Sequence, residues 1–252
     1  MLKIGITERG DAGLDLSWRF KLSQVNGVIL ITKNITPGFK KTVLENKDTP
    51  MIIHCTCTGW GASIMEPCVP DYKTQIGNLT DLIAKGFPAK NVVFRIDPIF
   101  PTPKGLERVE KVIECIPKEI SRVRISIIDE YKHVKQRYRE LAVKYNNPNI
   151  KPIYGDYDIF PSEKHCKLVA DTLKKYNYTF ETCAEDQLKK YMPNVQATGC
   201  ISKRDLELMN IEYTPMSENI QNRKGCHCLS CKTELLTNKK QCPHKCVYCY
   251  WR

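Results

Sequence analysis

Near its end the chain reads Gln241-Cys-Pro-His-Lys-Cys-Val-Tyr-Cys-Tyr-Trp-Arg252, which sets Cys242, Cys246 and Cys249 at C-x3-C-x2-C spacing. Cys226, Cys228 and Cys231 lie just upstream, so residues 221–252 hold six of the thirteen cysteines. The opening residues, MLKIGITERG, lack the apolar core of a secretory signal. No stretch approaches the roughly 20 apolar residues of a membrane span, so a cytoplasmic protein without membrane contact is expected. In that reducing compartment disulfides are rare. Crowded thiols there point to a soft metal or an iron–sulfur cluster. A 4Fe-4S cluster held by only three cysteines leaves one iron open to a substrate or cofactor. Zinc is the rival, since it favours four ligands and often uses C-x2-C pairs. Cys246 and Cys249 form such a pair, with Cys242 or His244 to join it. His227 and His244 are the two histidines among the cysteines.

The C-x3-C-x2-C spacing, with an aromatic residue before the last cysteine, resembles the motif of radical S-adenosylmethionine (SAM) enzymes. That resemblance implies an open 4Fe-4S cluster on Cys242, Cys246 and Cys249, with SAM on the open iron and Tyr248 against its adenine. It implies reductive cleavage of SAM to a 5′-deoxyadenosyl radical and an electron donor such as flavodoxin or ferredoxin. Two features depart from the superfamily pattern. The motif comes late in the chain, and there is no Gly-Gly-Glu run of the kind that holds the SAM amino group. More of the chain is similar to domain of unknown function family 1848. The matching segments are "CTGWGASIMEP" (57–67), "FRIDPIF" (94–100), "SIIDEY" (126–131), "TCAE" (182–185), "GCIS" (199–202), "GCHC" (225–228) and "CPHKCVYCY" (242–250). This similarity implies a barrel and an iron–sulfur cluster, and no known substrate. A more distant similarity to the spore photoproduct lyases, which repair DNA, rests on the cluster motif.

Cys183 and Cys200 fall at the ends of two late strands, where barrel proteins gather functional residues. With Cys226 and Cys228 they are expected to hold a second metal centre, an auxiliary 4Fe-4S cluster first and zinc second. The alternative for Cys183 and Cys200 is the buried small hydrophobe that cysteine often is. Cys115 and Cys166 sit in helical patterns and read as core, and Cys55 and Cys57 share one face of a strand. Charges in otherwise apolar strands are costly unless paired or used. Arg95 and Asp97 in "FRID", Asp129 closing "RISIID", and Glu185 after Cys183 are therefore the candidate catalytic residues, with an internal ion pair as the plainer reading. Glu66, Asp11 and Asp15 lie in loops after strands and are ambiguous. His54 reads as a core histidine. The basic run "YKHVKQRYRE" reads as a solvated helix face.

The elements that must position these residues alternate along residues 1–220. Strands are expected over 2–6, 27–32, 51–57, 91–97, 122–129, 150–154, 180–183 and 198–201. Helical patterns fall over 80–85, 105–119, 131–145, 162–176, 185–191 and 203–209. This alternation predicts an α/β fold with a parallel sheet, a (β/α) barrel, complete or partial; an open doubly wound sheet is the runner-up. Residues 1–220 form the barrel domain in this reading. Residues 221–252 form a cysteine-rich, metal-bound tail packed on the barrel mouth, since so short a piece folds alone only with metal. A strand-like piece, Thr233–Thr237, precedes the motif, so the last strand is expected to do the work of a barrel's usual first one.

The formal net charge is +11, with seven Lys or Arg against Glu234 alone in residues 221–252. A basic excess attracts nucleic acid, although it also offsets thiolate charge. The function expected is a radical SAM-type enzyme that modifies or repairs a nucleotide or nucleic acid. The rivals are a SAM-independent iron–sulfur enzyme and a zinc-stapled nucleic-acid-binding module.

Overall fold

The computed structural model of the protein describes residues 2–212, 227–236 and 242–249. The expected domain boundary at 220, the polar link over 214–225 and Cys226 lie outside the described residues. Eight strands form one parallel sheet: β1 (Ile4–Ile6), β2 (Gly27–Thr32), β3 (Met51–Thr56), β4 (Val92–Ile99), β5 (Arg122–Ile127), β6 (Thr179–Thr182), β7 (Gln196–Ala197) and β8 (Lys232–Glu234). Their order is β7-β6-β5-β4-β3-β2-β1-β8. Sequence neighbours from β1 to β7 are spatial neighbours, which excludes a doubly wound sheet, where the order reverses at a switch point. β8 lies beside β1, with Ile4 opposite Lys232 and Ile6 opposite Glu234. The strand expected over 233–237 thus forms, one residue earlier and shorter, in the place before the first strand.

No ladder joins β7 to β8 among the described residues. The segments beside them nevertheless touch: the Leu229 amide donates to the Ile201 carbonyl at 3.1 Å, and the Cys200 amide to Cys228 Sγ at 3.0 Å. The sheet therefore curls until its two edges come side by side.

Both sheet faces are covered, which is why the strands read as near-continuous apolar runs. One face packs Val28, Leu30, Ile53, Phe94, Val123 and Ile125 into the main core. Helices α1 (Pro37–Glu45), α2 (Tyr72–Ala84) and α3 (Pro103–Ile113) cover that face, and α4 (Lys132–Lys144) and α5 (Glu163–Leu173) follow. Each of the first three starts at a capping side chain, Thr36, Asp71 or Thr102, that accepts an amide of the first turn. The other face is apolar on one side, where Ile4, Ile6, Ile29, Ile52 and Val93 meet Leu206 and Met209 of and just after α6 (Lys203–Leu208). Its other side is charged. Arg122 and Arg124 on β5, Glu181 on β6 and Asp205 on α6 are all at most 1% exposed.

Four expectations are corrected. Residues 150–154 form no strand, because their amides bond a side chain instead: Glu130 accepts from Ile153 at 2.8 Å and from Tyr154 at 2.9 Å. The strand expected over 198–201 does not form there, where the Cys200 amide is taken by a sulfur; β7 lies just before it, at Gln196–Ala197. Cys115 is exposed rather than core, because α3 ends at Ile113 and leaves it in the following turn. Cys166 on α5 is buried as expected. Helices over 16–24 (a 3-10 turn) and 37–45 carried no clear periodic signal, and 186–190 is a 3-10 turn rather than a full helix.

Candidate metal centres

Loops after parallel strands gather at one end of the sheet, which is where such folds build their sites. Asp11 follows β1, Lys33 follows β2, Glu66 follows β3, Asp129 follows β5, Cys183 and Glu185 follow β6, and Cys200 follows β7. Arg95 and Asp97 lie within β4. The cysteine motif follows β8.

Residues 242–249 make two turns, closed by the Lys245 amide on the Cys242 carbonyl at 3.3 Å and the Cys249 amide on the Cys246 carbonyl at 3.2 Å. Lys245 takes φ +54° at the joint. The loop is held from four sides. The Val247 amide donates to the Met65 carbonyl at 3.0 Å. His244 uses both ring nitrogens, Nδ1 with the Cys68 carbonyl at 3.1 Å and Nε2 with Asp11 Oδ2 at 2.7 Å. Arg137 Nη1 of α4 donates to the carbonyls of Val247 at 3.0 Å and Cys249 at 2.6 Å. Tyr248 bonds Glu66 through its hydroxyl, Lys33 Nζ lies 2.8 Å from the same hydroxyl, and Phe100 packs edge-on at 5.4 Å.

Two expectations change here. Both ring nitrogens of His244 are taken, by Asp11 and by the Cys68 carbonyl, and His227 pairs with Asp186 at 2.9 Å. The basic run on α4 is not simply a solvated face: Arg137 clamps the cysteine loop, and buried Lys135 donates to the Gly155 and Asp158 carbonyls, both at 2.6 Å.

Burial pushes the Cys246 thiol up to about 12, with the Lys33 charge opposing and the Cys249 and Cys242 charges adding. Burial likewise pushes Cys242 up to about 11. Each thiol feels its neighbours, and coordination to a metal would reverse the shift because a coordinating thiol is deprotonated. Burial would also raise Asp11, but the His244 bond and charge outweigh it and hold the carboxyl below its ordinary value.

The candidate catalytic residues lie on or after β4, β5 and β6. Arg95 forms an ion pair with Asp97. Glu185 accepts from Ser126 Oγ at 3.0 Å and the Ile127 amide at 2.9 Å. Burial pushes Glu185 up to about 7 despite those bonds, and the charges of Asp129 and Asp97 add to the rise. Asp129 Oδ2 lies 3.5 Å from the Tyr131 hydroxyl. Lys33 Nζ pairs with Glu66 at 2.8 Å and approaches the Asp97 carbonyl at 3.5 Å. Arg95 Nε, Thr56 Oγ1 and Glu66 Oε2 are buried without a hydrogen-bond partner. Sequence reasoning missed Lys33 and Arg137. For Lys33 the signal existed: it is a charge closing an apolar strand, the rule that selected Asp97 and Asp129.

A second group lies where the sheet edges meet. The sulfurs of Cys183, Cys200 and Cys228 are all within 4.8 Å of one another, with 3.9 Å between Cys183 and Cys200. Three of the four cysteines expected in a second centre are thus brought together; the fourth, Cys226, lies outside the described residues. The approach of Cys228 depends on Gly199, where a Cβ would stand 2.4 Å from the Cys228 Cα. Cys231 is outside the trio, and its carbonyl accepts from the Ile4 amide at 2.7 Å.

One parallel eight-stranded sheet with cysteines gathered at its edges and over its loops defines an α/β protein with candidate metal donors. No helix among the described residues is long and apolar enough to cross a membrane. Residues 16–251 match the family described as Domain of unknown function (DUF1848), and the chain belongs to that family. No curated protein matches the chain. The similarity to spore photoproduct lyases gains nothing from the family match and rests on the cysteine motif alone.

Proposed function

We propose that this protein is an iron–sulfur enzyme of radical SAM type, built on a (β/α) barrel whose last strand stands where the first usually does. One observation carries the reading. The C-x3-C-x2-C loop follows β8, which lies beside β1, and residues after β1, β2 and β3 hold it: Asp11, Lys33 and Glu66. In this reading a strand leads into a cysteine loop over the mouth, as in the superfamily, by a permuted connection.

The donor types suit an open cluster: three thiols on two short turns, not gathered within 4.8 Å as the Cys183 group is, which is a spacing for separate corners of a cube rather than for one ion. The surroundings fit a zwitterionic ligand. Glu66 Oε2 and Arg95 Nε are unpartnered buried atoms of opposite charge, suited to the amino and carboxylate groups of SAM. A bound cluster would supply the electron for reductive cleavage of SAM, received from a donor of flavodoxin or ferredoxin type. The chain's own part is positioning. Asp11 orients His244 and so the first turn, and Arg137 holds the second. Lys33 fixes Tyr248 and Glu66 while its charge offsets thiolate charge. The net charge of +11 supports a nucleotide or nucleic-acid substrate.

The test is anaerobic purification with iron, sulfide and zinc analysis, then SAM turnover under dithionite. A brown protein that dithionite bleaches and that releases 5′-deoxyadenosine supports the proposal. Iron and sulfide without 5′-deoxyadenosine would leave a SAM-independent iron–sulfur enzyme. A colourless protein holding only zinc after reconstitution would leave a zinc-stapled binding module. Salt-dependent binding of DNA or RNA tests the substrate class, and its absence removes it.

A further inference from the structure

We propose that Cys183, Cys200 and Cys228 bind a single tetrahedral divalent ion of borderline softness, zinc foremost, which ties the β6–β7 edge of the sheet to the β8 edge. This goes beyond the radical SAM reading and does not depend on it.

Spacing decides between one ion and a cluster. Two thiolates roughly 2.3 Å from one tetrahedral ion stand roughly 3.8 Å apart. The Cys183 and Cys200 sulfurs are 3.9 Å apart, and all three sulfurs lie within 4.8 Å. A four-iron cube holds its thiolates farther apart, because each binds a different iron. The compact trio therefore favours the ion over the auxiliary cluster expected first from the sequence. A disulfide would need about 2.05 Å and would leave the third sulfur without a role.

The charge around the trio also suits an anionic complex. Three thiolates on a divalent ion carry one net negative charge, and binding releases their three thiol protons. Arg95 and Lys232 both lie within electrostatic reach: Cys200 and Cys183 favour the charged form of Arg95, and Cys228 and Cys200 that of Lys232. Lys232 also pairs with Glu8 at 2.7 Å and Arg95 with Asp97.

The location supplies a purpose. β7 has two residues and β8 three, so each contributes few ladder bonds, and no ladder joins them among the described residues. The three ligands come from the end of β6, the segment after β7 and the segment before β8. An ion on them does at this seam what strand pairing does elsewhere in the sheet.

The experiment uses the full chain, purified anaerobically, with metals counted per chain and cobalt(II) exchanged for zinc. Wild type is expected to hold one zinc equivalent and, with cobalt, to show the visible bands of a tetrahedral thiolate site. Cys200→Ser and Cys228→Ser should lose both while keeping their iron. Cys183→His should keep the ion with shifted cobalt bands, which guards against variants that merely misfold. A triple alanine variant at Cys242, Cys246 and Cys249 should lose iron and keep zinc, so failure of the radical SAM reading leaves this result readable. The proposal is overturned by wild type without the ion, by loss of iron and sulfide in Cys200→Ser, or by a Cys183–Cys200 disulfide in protein kept reduced.

Discussion

Glu181 holds together the charged half of the inner sheet face, and Glu181→Gln removes its charge with little change of shape. The carboxylate accepts from Arg122 Nε at 2.7 Å and Nη2 at 3.1 Å, and from Arg124 Nε at 3.2 Å and Nη2 at 2.6 Å. Arg204 adds a bond at 3.3 Å. Neither Arg122 nor Arg124 is more than 1% exposed. With glutamine in place they keep one anionic partner, Asp205, 2.8 Å from Arg122 and 3.9 Å from Arg124. Uncovering a buried charge in this way costs about 3–5 kcal/mol. That is a large share of the ~5–15 kcal/mol that stabilises a typical domain. In a chain of this size it lowers the melting temperature by roughly 6–20 °C.

The pH dependence has a definite sign. Burial raises the Glu181 carboxyl, but the bonds and charges of Arg122 and Arg124 outweigh it and hold it below its ordinary value of 4.5. Native protein therefore binds this proton less readily than unfolded protein. The stabilisation is present above that ordinary value and is lost as pH falls through the native one. Urea denaturation followed by far-UV circular dichroism, repeated between about pH 6 and 3, reads both effects. Glu181→Gln should be weaker at neutral pH and show a flatter acid limb than wild type. Arg124→Met added to it should recover part of the loss. A loss under about 1 kcal/mol, the level of an exposed pair, would refute the reasoning. It would mean that water reaches the guanidinium groups.

Arg137→Met removes the donor to the Val247 and Cys249 carbonyls, so iron bound after anaerobic reconstitution should fall several-fold with the far-UV spectrum unchanged. Undiminished iron would show that the clamp does not position the loop. Lys33→Met leaves Glu66, which is 0% exposed, without its cation and should cost about 3–5 kcal/mol in chemical denaturation. Adding Glu66→Gln should restore part of that stability, and strict additivity of the two changes would count against the pair.

Local pattern was enough for the parts of this protein that depend on near neighbours. "GVILIT", bounded by Asn26 and Lys33, became β2 at the expected limits, and the strand–helix alternation was sufficient to expect one parallel sheet. The positions of Cys183 and Cys200 after strands marked them as donors before any contact was known. What the chain order could not reveal were partners distant along it. His244 meets Asp11 across 233 positions, so a histidine between two cysteines turned out to be a bracket for the loop. Arg137 looked like surface until the loop 110 positions later came to rest on it. Residues 150–154 have a strand's composition, but Glu130 captured their amides first. Residue type and spacing determined which groups can bind metal. The curl that brings the segment after β7 beside the segment before β8 decided which thiols meet and how far apart, because those distances belong to the packed sheet.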